Sequence, residues 1–521
     1  MGIEQDILGA IDAIFSLEQV SEQDKGTLAV IHREVKKLTP EQKKALSDHL
    51  LYSALPNDNL IPMWFFLYDC FEDIAFLEKL VPCMPETVSV AWFYEFYCNV
   101  SHRLFRRSGG SELLQTAMRQ CFYRLAEQSK RFLSSRGLLN KQINFSAPKN
   151  IAIVVPQLMH LRHSPTREAF NIALHLMHQH GCNVQIINTN AMNYTNCNQL
   201  KLLMPANYEV NETLQGQQQI PVKYMQFDSK VSVVSFDAGP MSSQKVANIA
   251  SALQQLEVEA VVAHGENLLV MECLYQIYPS LFATTGAVVP FNHCDGYFIP
   301  GNLFNDTAKN LAALYGHENF MLESMLVTPE GQAEQAAAKS QFGIDDEAFL
   351  YLVVGTRLTG ELDSEFIAIC QTLLAQQPQA RVLFAGTPEL QLEQWFDEQT
   401  ITAKRVLNLG FQQDLAAISA MCDVYLNPKR AGGGTSSQTA ILNNLPVVTL
   451  DHGHISAVVP ETKRQKDWQD YLEYAGRLAT DAEFLAAEQQ LFTAHFYEHL
   501  DSGKQIERMY HKLCEVSEQF E

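Results

Sequence analysis

The chain has 521 residues, 47% of them hydrophobic and 19% charged, which is ordinary globular usage and suggests about three domains. Against 38 Lys and Arg stand 59 Asp and Glu, for a formal net charge of −21. So acidic a chain lacks the basic footprint that nucleic-acid phosphates require, and an anionic membrane would repel it.

Residues 1–140 read as helices. The opening MGIEQDILGAIDAIF has no basic segment or small-residue cleavage site of a signal peptide, so a cytoplasmic chain is expected. The 11 cysteines form no C-x-x-C pair, which fits reduced thiols in a reducing compartment. Thr39-Pro40-Glu41-Gln42 is a capping box with proline at the first helical position, and Ser21-Glu22-Gln23-Asp24 is a weaker version. The aromatic tracts Met63–Tyr68 and Trp92–Tyr97 predict a helix–helix core. Arg106 to Ser111 predicts a break between helices, and Ser134 to Asn150 predicts a linker between domains.

At Ile151 the period changes. Ile151–Val155 is a β-branched run of the buried parallel type, followed by a polar loop and a helix from Ser164 to Gly181. Strands are predicted at Val184–Ile187, Val231–Val234, Ala260–Ala263 and Gly286–Val289, with a helix over Ser243–Leu256. The uncharged run Cys273 to Cys294 contains Pro279, Pro290 and Asn292, so it predicts a helix end, a loop and a strand rather than a membrane span. A second alternating set has strands at Phe349–Val354, Val382–Ala385, Val406–Leu409, Val424–Leu426 and Val447–Leu450. Its helices include Glu365–Leu374 and Asp414–Met421, and helix returns from Thr462. Such alternation implies parallel sheets covered on both faces, with a ligand cleft at their carboxyl edges. The expected division is a helical domain over residues 1–145, two Rossmann-like α/β domains over 146–335 and 336–490, and a helical tail over 491–521.

The most informative segment runs from Asn427 to Leu450. A strand ends at Asn427, glycines 432, 433 and 434 let the backbone approach a ligand, and a helix opens with Thr435, Ser436 and Ser437. Free N–H groups and the helix dipole make such a start an anion site, to which Lys429 or Arg430 can add charge. No Gly-Lys-Ser/Thr follows, so this is no Walker loop. It also falls too late in its domain for a dinucleotide fingerprint.

The run GGGTSSQTAILNNLPVVTL resembles the donor-binding signature of nucleotide-sugar glycosyltransferases of the GT-B fold. It looks most like the branch of O-GlcNAc transferase and the bacterial cytoplasmic protein N-glycosyltransferases. Leu409-Gly410-Phe411 and Cys422 through Pro428 fit the same pattern, and Thr356-Arg357-Leu358 resembles the place of a diphosphate-binding arginine. The resemblance implies a base held by the loop after Gly410, and a diphosphate held by Arg357 and residues Gly433, Gly434, Thr435, Ser436, Ser437 and Thr439. It departs from the pattern at Thr439, where larger sugar-nucleotide families carry an acidic ribose ligand, and at Ala431, where a glutamate is expected. The lysine expected soon after Arg357 is missing, with Glu361 and Asp363 nearby.

An acceptor base is expected from the first α/β domain, since imidazole has a pKa near operating pH. His163, before the Ser164 helix, and His264, at a strand end, are the candidates, with His293 weaker. His175, His178 and His180 are expected to face solvent. No D-x-D, H-E-x-x-H or G-x-S-x-G sequence occurs, so neither a metal nor a cofactor is expected. The resemblance therefore implies a metal-independent transferase moving a sugar from a nucleoside diphosphate, UDP foremost, to a protein or glycan acceptor. Homodimerisation or a partner glycosyltransferase subunit is the expected assembly. The alternatives are a surface-polysaccharide or lipid-linked sugar transferase, a sugar-nucleotide epimerase, and a non-catalytic partner subunit.

Overall fold

The computed structural model describes residues 9–10, 13–14, 21–52, 60–107, 111–140, 146–161, 163–191, 200, 214–224, 227–238, 241–265, 267–285, 289–301, 304–323, 326, 329 and 331–520. Helices come first, at Glu22–Lys36, Pro40–Tyr52, Leu60–Phe71, Ile74–Glu78, Val90–Arg107 and Glu112–Ser135. Both predicted caps form. Ser21 Oγ accepts from the Asp24 N–H at 3.2 Å while the Ser21 N–H donates to Asp24 Oδ2 at 2.8 Å. Thr39 and Gln42 make the same reciprocal pair at 3.3 and 3.0 Å. The predicted break over residues 106–111 falls partly outside the described residues, as does the linker at 141–145.

These helices do not form a core of their own. Tyr97, Phe122 and Phe291 pack in one apolar cluster that runs from the helices into the first sheet. Polar pairs seal the seam. Tyr123 Oη donates to the Phe291 carbonyl at 2.8 Å, and Asn267 Nδ2 donates to Tyr97 Oη at 2.9 Å. Both aromatic tracts pack into this core, as their spacing predicts, all buried but the half-buried Trp92.

The first sheet contains β1 (Asn150–Val155), β2 (Asn183–Asn188), β3 (Gly216–Tyr224), β4 (Phe227–Ser235), β5 (Ala260–Gly265), β6 (Ser280–Thr284), β7 (Gly296–Pro300) and β8 (Phe320–Glu323). Its order is β3-β4-β2-β1-β5-β6-β7-β8, parallel except where β3 returns antiparallel on β4. Of the strand predicted at 286–289, residues 286–288 lie outside the described residues and Val289 is in no strand; β6 ends at Thr284. No pattern in the sequence marks β3, whose Gln217-Gln218-Gln219 and Pro221 suit only an edge, which is where it lies.

The second sheet contains β9 (Phe349–Val354), β10 (Ala380–Ala385), β11 (Val406–Gly410), β12 (Val424–Leu426) and β13 (Val447–Val448), all parallel in the order β11-β10-β9-β12-β13. Residues 491–521, expected as a tail, include a crossing back to the first lobe. The helix Ala482–His495 packs on the second lobe through Phe492, and a π-helical turn at Phe496–Leu500 follows. Then Ser502–Glu518 buries Ile506, Met509 and Leu513 against Phe170 and Ile172 of the first lobe. This return displaces one expectation: His175 is buried, edge-on to Phe227 at 4.8 Å, rather than facing solvent. His178 is exposed, and His180 stacks on Tyr510 at 4.1 Å. Among the described residues, no helix is long and apolar enough to cross a membrane.

Candidate active site between the lobes

A cavity of about 570 Å³ opens between the two sheets. Its first-lobe wall is the loop after β1 and the start of the Ser164–His180 helix, at His160, His163, Ser164, Arg167 and Glu168. Its second-lobe wall comes from the loops after β9, β10, β11 and β12. All are carboxyl ends of parallel strands, where open α/β sheets bind ligands.

The glycine run makes the floor. Gly433 holds φ at +101° and starts the helix Gly434–Leu442, which no side chain caps. Its first-turn N–H groups therefore lie at the cavity wall, as an anion site requires. A Cβ on Gly433 would sit 2.8 Å from Asn427 Oδ1 and 3.0 Å from Arg430 Nη2. The hydroxyls divide. Ser437 donates to the Gly434 carbonyl at 2.8 Å and Thr439 to the Thr435 carbonyl at 3.2 Å. Ser436 meets Tyr425 Oη at 2.8 Å, and Thr435 meets Ser164 Oγ of the first lobe at 2.8 Å.

The expected cations have distinct fates. Lys429 is exposed and outside the cavity lining. Arg430 is buried and acts as a strut. It donates to Asn427 Oδ1 at 2.9 Å, the Val354 carbonyl at 2.6 Å, Tyr425 Oη at 3.1 Å and Glu361 Oε2 at 3.0 Å. Arg357 pairs with the other oxygen of Glu361 at 3.1 Å but keeps 48% of its side chain exposed. Burial pushes the Glu361 carboxyl up, yet Arg430 and Arg357 outweigh it and hold the group below the usual glutamate range. The expected concentration of positive charge is thus partly neutralised by Glu361, which stands near the place of the missing lysine. Gly410 ends β11 at φ +63° without lining the cavity, whereas Phe411 lines it and is 48% exposed.

The two histidines also separate. His163 lines the cavity, with Nδ1 3.1 Å from Thr166 Oγ1; burial, then His160 and Arg167, bring its pKa down to about 4. His264 does not line it. Its Nε2 donates to the Pro165 carbonyl at 3.2 Å, and burial brings its pKa to about 4. A strand-end position suggested access, but the turn at Pro165 covers the ring. His293 lies elsewhere, paired with Glu272 at 3.0 Å and stacked on Tyr123.

Two cavity residues escape a reading of the sequence. His454 is brought in because Gly453, at φ +70°, lets the chain pass against the backbone of Arg430 and Ala431. Glu168 is 5% exposed, and burial raises its carboxyl pKa to about 7 despite Ser164 and Arg167. Its place one turn into a helix that follows a strand is the signal that could have found it.

The family described as Glycosyl transferases group 1 matches residues 361–486, most of the second lobe. The whole chain is similar in structure to a mutant of the Thermobaculum terrenum O-GlcNAc transferase, with a TM-score of 0.53 at 13% identity, covering 100% of this chain and 98% of that one. The fold is GT-B. Other similar structures are the pneumococcal O-GlcNAc transferase GtfA in complex with UDP and GlcNAc (TM-score 0.45, 12% identity, 70% of this chain and 99% of that one) and Anabaena HepE in complex with UDP (0.44, 14%, 69% and 99%). A comparison with curated proteins finds no match. In this GT-B chain the all-α region precedes the two lobes and is fused to the core of the first.

Proposed function

We propose that the protein transfers a sugar from a nucleoside diphosphate, UDP foremost, to a large acceptor such as a protein side chain or a glycan. The observation that carries this reading is the uncapped, glycine-led start of the Gly434–Leu442 helix, set in the interlobe cavity beside Arg357. A departing diphosphate gains negative charge, and preorganised donors aimed at it lower the barrier, each removal costing about 3 kcal/mol. The first-turn N–H groups and Arg357 are those donors, so the proposed departure needs no metal. Phe411, exposed on the rim after β11, offers a face for the base. The N-terminal helices, rigidly fused to the first lobe, would widen the acceptor side or mediate dimerisation.

A second reading, a non-catalytic partner subunit, is favoured by one observation: Glu361 already engages both Arg357 and Arg430. A thermal-shift panel of UDP, GDP, CDP, ADP and TDP separates the two. A ligand at 100 times its dissociation constant stabilises by about 2.7 kcal/mol. A shift with one diphosphate supports the transferase and names its donor; no shift with any of them overturns it.

A further inference from the structure

We propose that Glu168 is the catalytic base that takes the acceptor's proton, a proposal that rests on the glycosyltransferase reading. Glu168 lies on the first-lobe wall of the cavity, facing the donor loop. Its Oε1 accepts from Ser164 Oγ at 2.8 Å, and Ser164 Oγ meets Thr435 Oγ1 at 2.8 Å. A hydroxyl has one proton, so Ser164 gives it to Glu168 and accepts from Thr435. The carboxylate is thereby wired to the first turn of the donor helix. Its second oxygen, Oε2, has no hydrogen-bond partner among the described residues; the nearest cation-forming group, His264 Nε2, is 3.6 Å away and donates to Pro165 instead. A carboxylate oxygen at a cavity wall that is not engaged by a donor is poised to receive a proton.

The charged surroundings fit that task. On the same segment lie His160, His163 and Arg167, and His264 faces it from β5. Across the cavity stand Arg357 and Arg430, both engaged with Glu361, and His454. Burial holds His163 and His264 neutral and weakly basic, while it makes Glu168 a base matched to neutral pH. In the step, Glu168 takes the proton of the acceptor hydroxyl. The electron pair of that O–H bond becomes the new bond to the anomeric carbon, and the old C–O bond breaks with its pair leaving on the diphosphate. The proton then passes from Glu168 to solvent. A single displacement in which an enzymic base deprotonates the acceptor proceeds in line with the departing diphosphate, so this step inverts the anomeric carbon.

The test uses the full chain with UDP-glucose and UDP-N-acetylglucosamine as probe donors, reading UDP release with water as acceptor and UDP affinity by calorimetry. Glu168→Gln is expected to lower turnover 100-fold or more while UDP affinity stays within threefold. Glu168→Asp, which keeps the charge but withdraws it, is expected to lose at least tenfold and serves if the glutamine variant does not fold. Ser164 is a positioning residue. Removing its hydroxyl, which lowers the proton affinity of Glu168, moves the rise of kcat/KM from near pH 7 to higher pH. Turnover of both Glu168 variants within threefold of wild type, with UDP still bound, overturns the base alone, as does release of sugar with retained configuration. Failure of the wild-type chain to bind UDP overturns the transferase reading, and the base with it.

Discussion

Gly433→Ala puts the donor loop to a quantitative test. At φ +101° an L side chain is strained by about 1–3 kcal/mol. The new Cβ also meets Asn427 Oδ1 and Arg430 Nη2 at 2.8 and 3.0 Å. Neither can swing aside freely, because Asn427 Oδ1 accepts from Arg430 Nε and its Nδ2 donates to the Pro428 carbonyl, both at 2.9 Å. Disturbing one such hydrogen bond costs about 1 kcal/mol, giving about 3 kcal/mol in all. If the loop holds its shape, urea denaturation reads that cost as lost stability. If the loop shifts instead, calorimetry reads it as UDP binding weakened roughly 100-fold. Gly432→Ala is the control, since its Cβ would meet only the far end of the Arg357 side chain at 3.3 Å. A Gly433→Ala protein with unchanged stability and UDP affinity within threefold of wild type would refute the reasoning.

Glu361→Gln removes the carboxylate that occupies both Arg357 and Arg430. It is expected to tighten UDP binding about 30-fold, since removing a unit charge at about 7 Å with an effective dielectric of about 20 is worth about 2 kcal/mol. The same variant is expected to lower Tm, because Arg430 is buried and loses its counter-charge; a raised Tm with unchanged affinity would contradict this. The Glu361 carboxyl is held below its ordinary value of 4.5, so its contribution to stability is present above that pH and is lost as pH falls further. Acid titration of Tm is therefore expected to fall less steeply below pH 4.5 in Glu361→Gln than in wild type. Asn267→Ala leaves the Phe291 N–H without its buried acceptor and Tyr97 Oη without its donor. It is expected to cost about 2–4 kcal/mol, with helices and first lobe melting in one transition because they share one core; two separate transitions would contradict that.

Much of the fold is legible because buried parallel strands are short β-branched runs, as at Ile151–Val155 and Phe349–Val354. Edge elements escape: β3 is rich in glutamine and carries Pro221, so its pairing with β4 is set by the sheet and not by its own pattern. The glycine-led helix start at the cavity is legible for a similar reason, since glycine with a following hydroxyl cluster is a local signal with a local cause. What local reading cannot supply is direction and cover. His264 stands at a strand end yet is roofed by Pro165, and Lys429 is next to Arg430 yet lies outside the cavity. Glu168 and His454 are the converse. Each reaches the cavity only because two chain segments distant in sequence close on it, Ser164 against Thr435 and Gly453 against Arg430.

The central claim is that a nucleoside diphosphate lies between Arg357 and the start of the Gly434–Leu442 helix. A crystal structure of the full chain with UDP tests it most directly. Diphosphate oxygens are predicted within hydrogen-bond distance of the first-turn N–H groups, with Arg357 turned from Glu361 toward them and the base against Phe411. UDP bound elsewhere, or a cavity left empty at saturating UDP, would contradict it.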